Sequence, residues 1–281
     1  MKICISTEST LDIPKSMQKE YDIHVVPFTV LLGEKAGLDG DITAEEIFEY
    51  VKTTGILPKT SAVNEFQYDE YFTSLLKDYD AVIHISLSSE ISCAYNNAKN
   101  VASHIDNVYL IDSRSLSTGI ALEAIYASKL AKEGLSPEEI VAKVEERIPY
   151  VQASFVVDTL EYLHKGGRCS GIARFGAAIF RIKPQILLTD GKMIPAKKFH
   201  GRKTSVVKAY CEDILEQFNN PDLSIAFVTH SHATQEMVDI AKEELKKAGF
   251  KHIYETLAQA TITSHCGPQT LGILYINDGG K

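Results

Sequence analysis

The chain has 281 residues, of which 44% are hydrophobic and 23% charged, and it contains no Trp. This composition is typical of a globular protein with a buried core, and it excludes a disordered, a collagen-like or a disulfide-framework protein. The length is sufficient for two modest domains or one large one. A formal net charge of −8 argues against generic nucleic-acid binding.

The cysteines and the N-terminus point to a reducing compartment. Five cysteines occur without a CxxC spacing, at Cys4, Cys93, Cys169, Cys211 and Cys266. An odd number without that spacing favours neither a disulfide framework nor a zinc site. The first residues lack the apolar stretch of a signal peptide, and no apolar run reaches the roughly 18 residues that a membrane span needs. We therefore expect a cytoplasmic protein.

Strands and helices alternate in the first half of the sequence. Continuous apolar stretches predict strands at residues 2–6, 24–32, 81–87 and 107–112, with Pro27 indicating an edge or a bend. Helix starts are indicated by Pro14 and by capping boxes at residues 43–46, 64–67 and 136–139, and Gly134 ends a helix. This alternation predicts βαβ units and a parallel sheet covered on both faces.

The second half follows a different pattern. Strands are predicted at residues 153–157, 185–189, 193–199, 223–229, 252–257 and 271–276, and helices at 159–164, 171–181, 204–218 and 234–247. Asp190 and Gly191 form a favoured hairpin turn. We predict an α/β protein of two domains that meet near Pro149. Residues 1–150 form an N-terminal parallel α/β domain, and residues 151–281 a C-terminal α+β domain with a mixed or antiparallel sheet.

Positive charge is concentrated in residues 164–208. This basic segment contains eleven Lys or Arg and one acid, Asp190, so its net charge is +10 and that of the remaining chain is −18. Charge runs are often only solvated surface, but one this one-sided favours a docking surface for an acidic partner, a phosphate or an anionic membrane.

Hydroxyl side chains are concentrated at four predicted strand ends, residues 6–9, 60–61, 86–92 and 112–117. Each cluster alone is typical of helix N-caps. Ligands of open α/β sheets bind at the carboxyl ends of strands, where such clusters converge. Together they would form an anion site of hydroxyls and helix N-termini, without Arg or Lys.

Catalysis by a serine or a cysteine nucleophile is the alternative to an anion-binding site. His265 precedes a Gly-Pro turn and could assist Ser92 or Ser88, with Asp112 as the third member of a triad. The sequence lacks the G-x-S-x-G elbow of such hydrolases. Cys93 and Cys266 are weaker candidates, because a free cysteine is usually a small apolar residue. No zinc-protease, Walker or dinucleotide motif is present.

A series of segments in this order resembles the DegV family, whose characterised members are fatty-acid-binding subunits of bacterial fatty acid kinase. The matching segments are residues 6–10, 60–61, 88–95, 112–119, 160–170, 183–184, 201–203, 265–268 and 271–272. Each segment alone is weak evidence for the family. The ordered set is strong evidence, and it covers essentially the whole chain.

The resemblance implies a two-domain α/β protein that holds a long-chain fatty acid in a buried tunnel. It implies that Thr60, Ser61, Ser92 and His265 bind the carboxylate, with Cys93 in the same head-group site. It assigns no catalytic residue, metal or cofactor to this chain. A partner, an ATP-dependent fatty acid kinase subunit, would phosphorylate the carboxylate.

In the basic segment, the resemblance implies that Arg202, with Arg174 or Lys203, meets that kinase. From the charge pattern itself, we expect an anionic membrane surface as a second, transient partner of the same residues.

Several positions depart from the family pattern. Cys93-Ala94 stands where Gly-Thr is usual, and Cys266 and Gln269 stand where Thr and Gly are common. Ala62 begins a stretch where relatives often have Gln-Pro-Ser, and Glu8 replaces Asp. Ser92 and His265 remain, so we expect lipid binding to persist. A serine or cysteine hydrolase or acyltransferase and a carrier of another amphipathic anion stay as alternatives.

Overall fold

The computed structural model describes residues 1–169 and 182–281. The predicted helix 171–181 lies outside the described residues. The strands of the first half are β1 (Ile3–Glu8), β2 (Ile23–Val26), β3 (Thr29–Leu32), β4 (Lys35–Leu38), β5 (Lys59–Ser61), β6 (Ala81–Ser86) and β7 (Val108–Asp112). The helices are α1 (Lys15–Tyr21), α2 (Ala44–Thr54), α3 (Glu65–Leu75), α4 (Ala94–Ala102), α5 (Thr118–Lys132) and α6 (Pro137–Arg147).

The second half continues after a 3-10 turn at Ile148–Tyr150. Its strands are β8 (Val151–Val156), β9 (Lys183–Thr189), β10 (Lys192–Phe199), β11 (Ile225–Ser231), β12 (His252–Leu257) and β13 (Thr270–Ile276). Its described helices are α7 (Glu161–Gly166), α8 (Lys203–Gln217), α9 (Gln235–Lys247) and α10 (Ala260–Cys266).

The two main sheets confirm the predicted fold class. Strands β2-β1-β6-β7 form a four-stranded sheet in which every pair is parallel. Strands β10-β9-β8-β13-β11-β12 form a six-stranded mixed sheet, in which β11 and β12 are parallel and the other pairs antiparallel. Parallel pairing follows the alternating half of the sequence, and antiparallel pairing follows the hairpin.

A third sheet was not predicted. The apolar stretch 24–32 is two strands, since the chain leaves the parallel sheet at Pro27 and β3 pairs instead with β4 and β5. Pro27 has no N–H to donate, which explains why the parallel sheet ends there. Thr60 and Ser61 therefore lie in an edge strand of this small antiparallel sheet rather than at the end of a parallel strand.

The local signals of the sequence appear as hydrogen bonds. At each of the three capping boxes the N-cap side chain accepts from the third helical N–H, and the side chain of that residue accepts from the N-cap N–H. Asp190 and Gly191 both have positive φ, as a two-residue hairpin turn between β9 and β10 requires. These contacts fix where the elements begin and turn.

Helix α5 lies between the two main sheets. It packs against β1 and β6 of the parallel sheet and against β8 and β13 of the mixed sheet. One apolar cluster accordingly includes Ile83 of the first half and Phe155 of the second. The division of the chain at residue 150 stays a prediction. The continuous packing brings loops of both halves to one place, where the cavity described next is found.

Candidate functional site

A cavity of about 600 Å³ lies where the two halves of the chain meet. Its described lining combines hydroxyl and charged groups with apolar side chains. The lining residues are Phe28, Thr60, Ser61, Ala62, Leu87, Ser89, Glu90, Ile91, Ser92, Cys93, Asn96, Leu116, Gly167, Arg168, Met193, Thr261, Ile262, His265 and Cys266. The volume is within the range of small-molecule sites in proteins. We call it the outer cavity.

All five residues of the predicted head-group site line the outer cavity. Thr60 and Ser61 reach it from β5, and Ser92 and Cys93 reach it from the loop before α4. His265 reaches it from α10. The structure therefore brings together residues that lie up to 205 positions apart. Their role in carboxylate binding stays a prediction.

His265 lies in the last turn of α10 and hydrogen bonds to Thr60. The distance from Thr60 Oγ1 to His265 Nε2 is 2.8 Å. The sequence predicts a turn after His265 but no helix before it; the turn begins at Gly267, which ends α10 with φ of 77°.

Two buried carboxylates hold the start of α10. Asp12 Oδ1 accepts the N–H of Gln259 at 2.8 Å, and Asp39 Oδ1 accepts the N–H of Thr261 at 3.1 Å. These bonds satisfy N–H groups that have no partner inside the helix. Burial raises the pKa of both Asp12 and Asp39. Contacts from the first half thus place a helix of the second half over the cavity.

His265 is neutral over most of the pH range. Burial, together with the nearby positive charge of Arg168, lowers its pKa from 6.5 to about 4. Gly166 makes room for the ring, because a Cβ atom there would lie 2.9 Å from His265 Nδ1. A neutral imidazole has one N–H donor and one acceptor nitrogen. It can therefore donate one hydrogen bond without carrying charge.

Arg168 brings a positive charge to the outer cavity that the sequence analysis did not assign there. Its Nη1 donates to the carbonyl of Gly166 at 2.7 Å, and its side chain lines the cavity. This differs from the expectation of an anion site without Arg or Lys. The sequence feature that could have indicated Arg168 as a site residue was its position in the matched segment 160–170, directly after two glycines.

In the serine loop between β6 and α4, one hydroxyl group does not donate its proton to any described residue. Ser88 Oγ donates to the carbonyl of Gly191 at 2.8 Å, and Ser89 Oγ donates to Asp112 Oδ2 at 2.6 Å. Ser92 Oγ accepts from the N–H of Ala94 at 3.2 Å. Its own proton stays available, so Ser92 is the serine of this loop that can donate to a ligand.

Glu8 anchors the start of the serine loop. Its carboxylate accepts from the hydroxyls of Tyr68 and Ser86, each at 2.6 Å, and from the N–H of Leu87 at 2.9 Å, and it contacts His84. Burial opposes charge on Glu8, but His84 and these donors outweigh burial and lower its pKa. The departure from Asp at this position is therefore accommodated by a complete set of donors.

The described residues do not assemble the triad considered as an alternative. His265 bonds to Thr60, while Asp112 accepts from Ser89 and lies near Arg114. Burial raises the pKa of the Cys266 thiol to about 12, which leaves it protonated. A protonated thiol is a poor nucleophile. Cys93 is exposed, whereas the other four cysteines are buried.

The predicted docking residues have different surroundings. Arg202 is exposed at the N-cap of α8, and Lys203 begins that helix. Lys203 Nζ lies 2.9 Å from Asp158 Oδ2 and also contacts Gln269. Arg174 lies outside the described residues. Lys203 therefore contributes to the packing of the second half, while Arg202 faces solvent.

Residues 1–169 and 182–281 contain no group of three His, Cys, Asp or Glu side chains that could hold a metal ion. No helix within these ranges combines the length and the apolar character required to cross a bilayer.

Fold and cavity together define the class of protein: an α/β protein with one parallel and one mixed main sheet, and a cavity rimmed by hydroxyl groups at their junction. Comparison with known families identifies the family. The family model described as "Uncharacterised protein, DegV family" matches residues 2–278. The chain belongs to the DegV family.

Individual relatives agree with this assignment. Protein DegV of Bacillus subtilis is 32% identical over 280 residues, which cover 98% of this chain and 99% of the relative. A DegV family protein from Thermus thermophilus, whose structure is described as fatty acid binding, matches with a TM-score of 0.90 at 27% identity over 99% of this chain and 100% of that chain. A stearic acid-binding protein from Eubacterium ventriosum matches with a TM-score of 0.84 at 26% identity over 98% of both chains.

Proposed function

We propose that this protein binds a long-chain fatty acid in the outer cavity and presents its carboxylate to an ATP-dependent fatty acid kinase. The observation that carries the proposal is the cavity itself, in which the donors Thr60, Ser92 and His265 share one apolar-walled space with Arg168. Two of the matched structures are described as binding fatty acids. The same ligand class explains both the polar and the apolar lining.

The apolar wall supplies the affinity in this proposal. Burying about 15 methylenes contributes on the order of 12 kcal/mol, an upper bound before the entropy costs of binding. The carboxylate end therefore does not need a tight clamp. Neutral hydroxyl and imidazole donors hold a carboxylate less rigidly than a bidentate Arg pair does. One oxygen is then free to react.

The reaction itself belongs to the partner. A carboxylate oxygen would attack the γ-phosphorus of ATP on the kinase, which forms an acyl phosphate and releases ADP. Ser61 and Cys93 are exposed on the cavity, so the polar end of the site faces solvent. The proposal accordingly places the carboxylate there and the chain inward. This chain then works in the cytoplasm as a lipid-binding subunit without a cofactor, and nucleic acid is not a partner.

Docking of the kinase is proposed at the basic segment, in which Arg202 is exposed. A transient contact of the same segment with an anionic membrane would serve loading or release of the lipid. The positive charge of this segment would favour partners that are negatively charged where they contact it.

Mass spectrometry of the purified protein tests the proposal first. We expect one long-chain fatty acid per protein chain in the native spectrum, released intact by solvent extraction and leaving the unmodified protein mass. A covalent acyl adduct would contradict the proposal in favour of a nucleophile. A different amphipathic anion in the extract would contradict the ligand class. A chain that purifies empty and fails to bind added palmitate would overturn the proposal.

A further inference from the structure

A second, smaller cavity lies behind the outer one. It has a volume of about 30 Å³, enough for about two water-sized groups. Within the described chain, Leu116, Ile262 and Cys266 line both cavities. These three side chains therefore form the wall between the outer cavity and this inner cavity.

The inner cavity lies where a glycine separates two larger residues in one row of the mixed sheet. Gly272 of β13 pairs with Phe155 of β8 on one side and with Thr229 of β11 on the other. Paired residues on neighbouring strands point to the same face of a sheet. All three line the inner cavity.

The inner cavity offers an apolar environment. Thr229 Oγ1 is bonded to the hydroxyls of Thr118 and Thr256, at 2.7 and 2.9 Å. Thr270 Oγ1 donates to the carbonyl of Cys266 at 2.9 Å, and the thiol of Cys266 is protonated. Since these polar groups already have partners, the space suits a methyl end rather than a polar group.

We propose that Leu116 and Ile262 set the length of acyl chain that this protein prefers, because they decide whether the methyl end passes from the outer into the inner cavity. The inference rests on the proposed function. With the carboxylate at Thr60 and His265, the chain runs inward and meets this wall. A smaller wall side chain joins the two cavities and accommodates more methylenes. A larger side chain in the inner cavity has the opposite effect.

The test compares three variants in the full chain, with a series of straight saturated fatty acids of 12 to 20 carbons as probes. Ile262→Ala opens the wall, and Ala258→Val fills the inner cavity, which Ala258 lines. Ile91→Ala is the matched control, because Ile91 lines only the outer of these two cavities. Gly272 is unsuitable, since a Cβ atom there would lie 2.5 Å from the Ser154 carbonyl oxygen.

We expect Ile262→Ala to move the preferred length up by about two carbons, with the ratio of dissociation constants for the longer and shorter acids changing about tenfold from burial of two methylenes. Ala258→Val should move the preference down. Ile91→Ala should leave the ratio at its wild-type value.

Three results would overturn the inference. If all three variants keep the wild-type ratio while still binding fatty acids, the wall does not select chain length, although the proposed function stands. If Ile262→Ala and Ile91→Ala shift the ratio equally, chain-length selection depends on the total cavity volume and not on the wall between the two cavities. A wild-type protein that binds none of the acids overturns the proposed function as well. Should Ile262→Ala fail to fold, Ile262→Val removes one methyl group and must shift the ratio in the same direction.

Discussion

Thr60 and His265 form a hydrogen bond of 2.8 Å that joins the small antiparallel sheet of the first half to α10 of the second. The bond lies on the outer cavity, where both side chains are candidate carboxylate donors. A ligand oxygen at this point would contact groups from both halves at once. Ligand binding at this pair would therefore be linked to the contact between the halves.

The first prediction concerns the imidazole of His265. In the ligand-free protein it should titrate near pH 4, because burial and Arg168 lower its pKa. A bound carboxylate should raise this pKa, since an adjacent negative charge favours the imidazolium form. Nitrogen NMR of the ring between pH 3.5 and 8, with and without palmitate, measures both values. The exposed ring of His104 is the control, and a His265 signal unchanged by palmitate would place the carboxylate elsewhere.

A second prediction follows for stability. Between pH 6.5 and about 4 the unfolded chain protonates His265 while the folded chain does not. The unfolded state therefore binds more protons in this window, and stability falls as the pH falls. The contribution is at most about 3 kcal/mol. His265→Gln should lose less stability than wild type between pH 7 and 4.5 in urea unfolding. Equal losses in the two proteins would show that His265 does not contribute.

Ser92 provides the third prediction. Ser92→Ala removes a hydroxyl donor and should weaken palmitate binding by about tenfold or more, the effect expected of one hydrogen bond to a charged group. The melting temperature should change little, because Ser92 Oγ accepts only the N–H of Ala94 among its described contacts. Ser103→Ala is the matched control, at an exposed position after α4. Binding that is equally strong in all three proteins would remove Ser92 from the site.

Much of this architecture could be predicted because it depends on local signals. Apolar stretches, capping boxes and the Asp190-Gly191 turn each act within a few residues, and they indicated both sheets. Helix α10 could not be predicted in this way. Its sequence, ATITSHC, contains β-branched residues that disfavour a helix. It forms because Asp12 and Asp39, more than 200 residues away, bind its first N–H groups.

The candidate site also combines residues that the sequence indicated with residues that only the fold brings together. Thr60, Ser92 and His265 belong to segments that resemble a family, so the sequence suggested them. Arg168 lies in such a segment too, but only the fold places its side chain on the cavity beside His265. The separation of the stretch 24–32 into two strands also depends on the fold, since β3 finds its partners in residues that follow it.

Cys93 allows occupancy of the cavity to be measured directly. It is the exposed member of the five cysteines and lines the outer cavity. A maleimide should therefore label one thiol in the ligand-free protein, and palmitate should slow that labelling by blocking access. Intact-protein mass spectrometry over time gives the rate, and Cys93→Ser should take up no label. Labelling at the same rate with saturating palmitate would show that the ligand does not reach Cys93.

The docking surface gives the last prediction, in which two adjacent basic residues should behave differently. Arg202→Glu should weaken binding to the kinase and make it less sensitive to salt, while palmitate binding and the melting temperature stay unchanged, because Arg202 is exposed. Lys203→Glu should also lower the melting temperature, since it replaces the ion pair of 2.9 Å between Lys203 and Asp158 with two neighbouring acids. Lys15→Glu, an exposed charge reversal outside the basic segment, is the control for net charge. Calorimetry with the lipid-loaded protein measures kinase binding, and loss of lipid by Arg202→Glu would mean that Arg202 stabilises the fold rather than the partner.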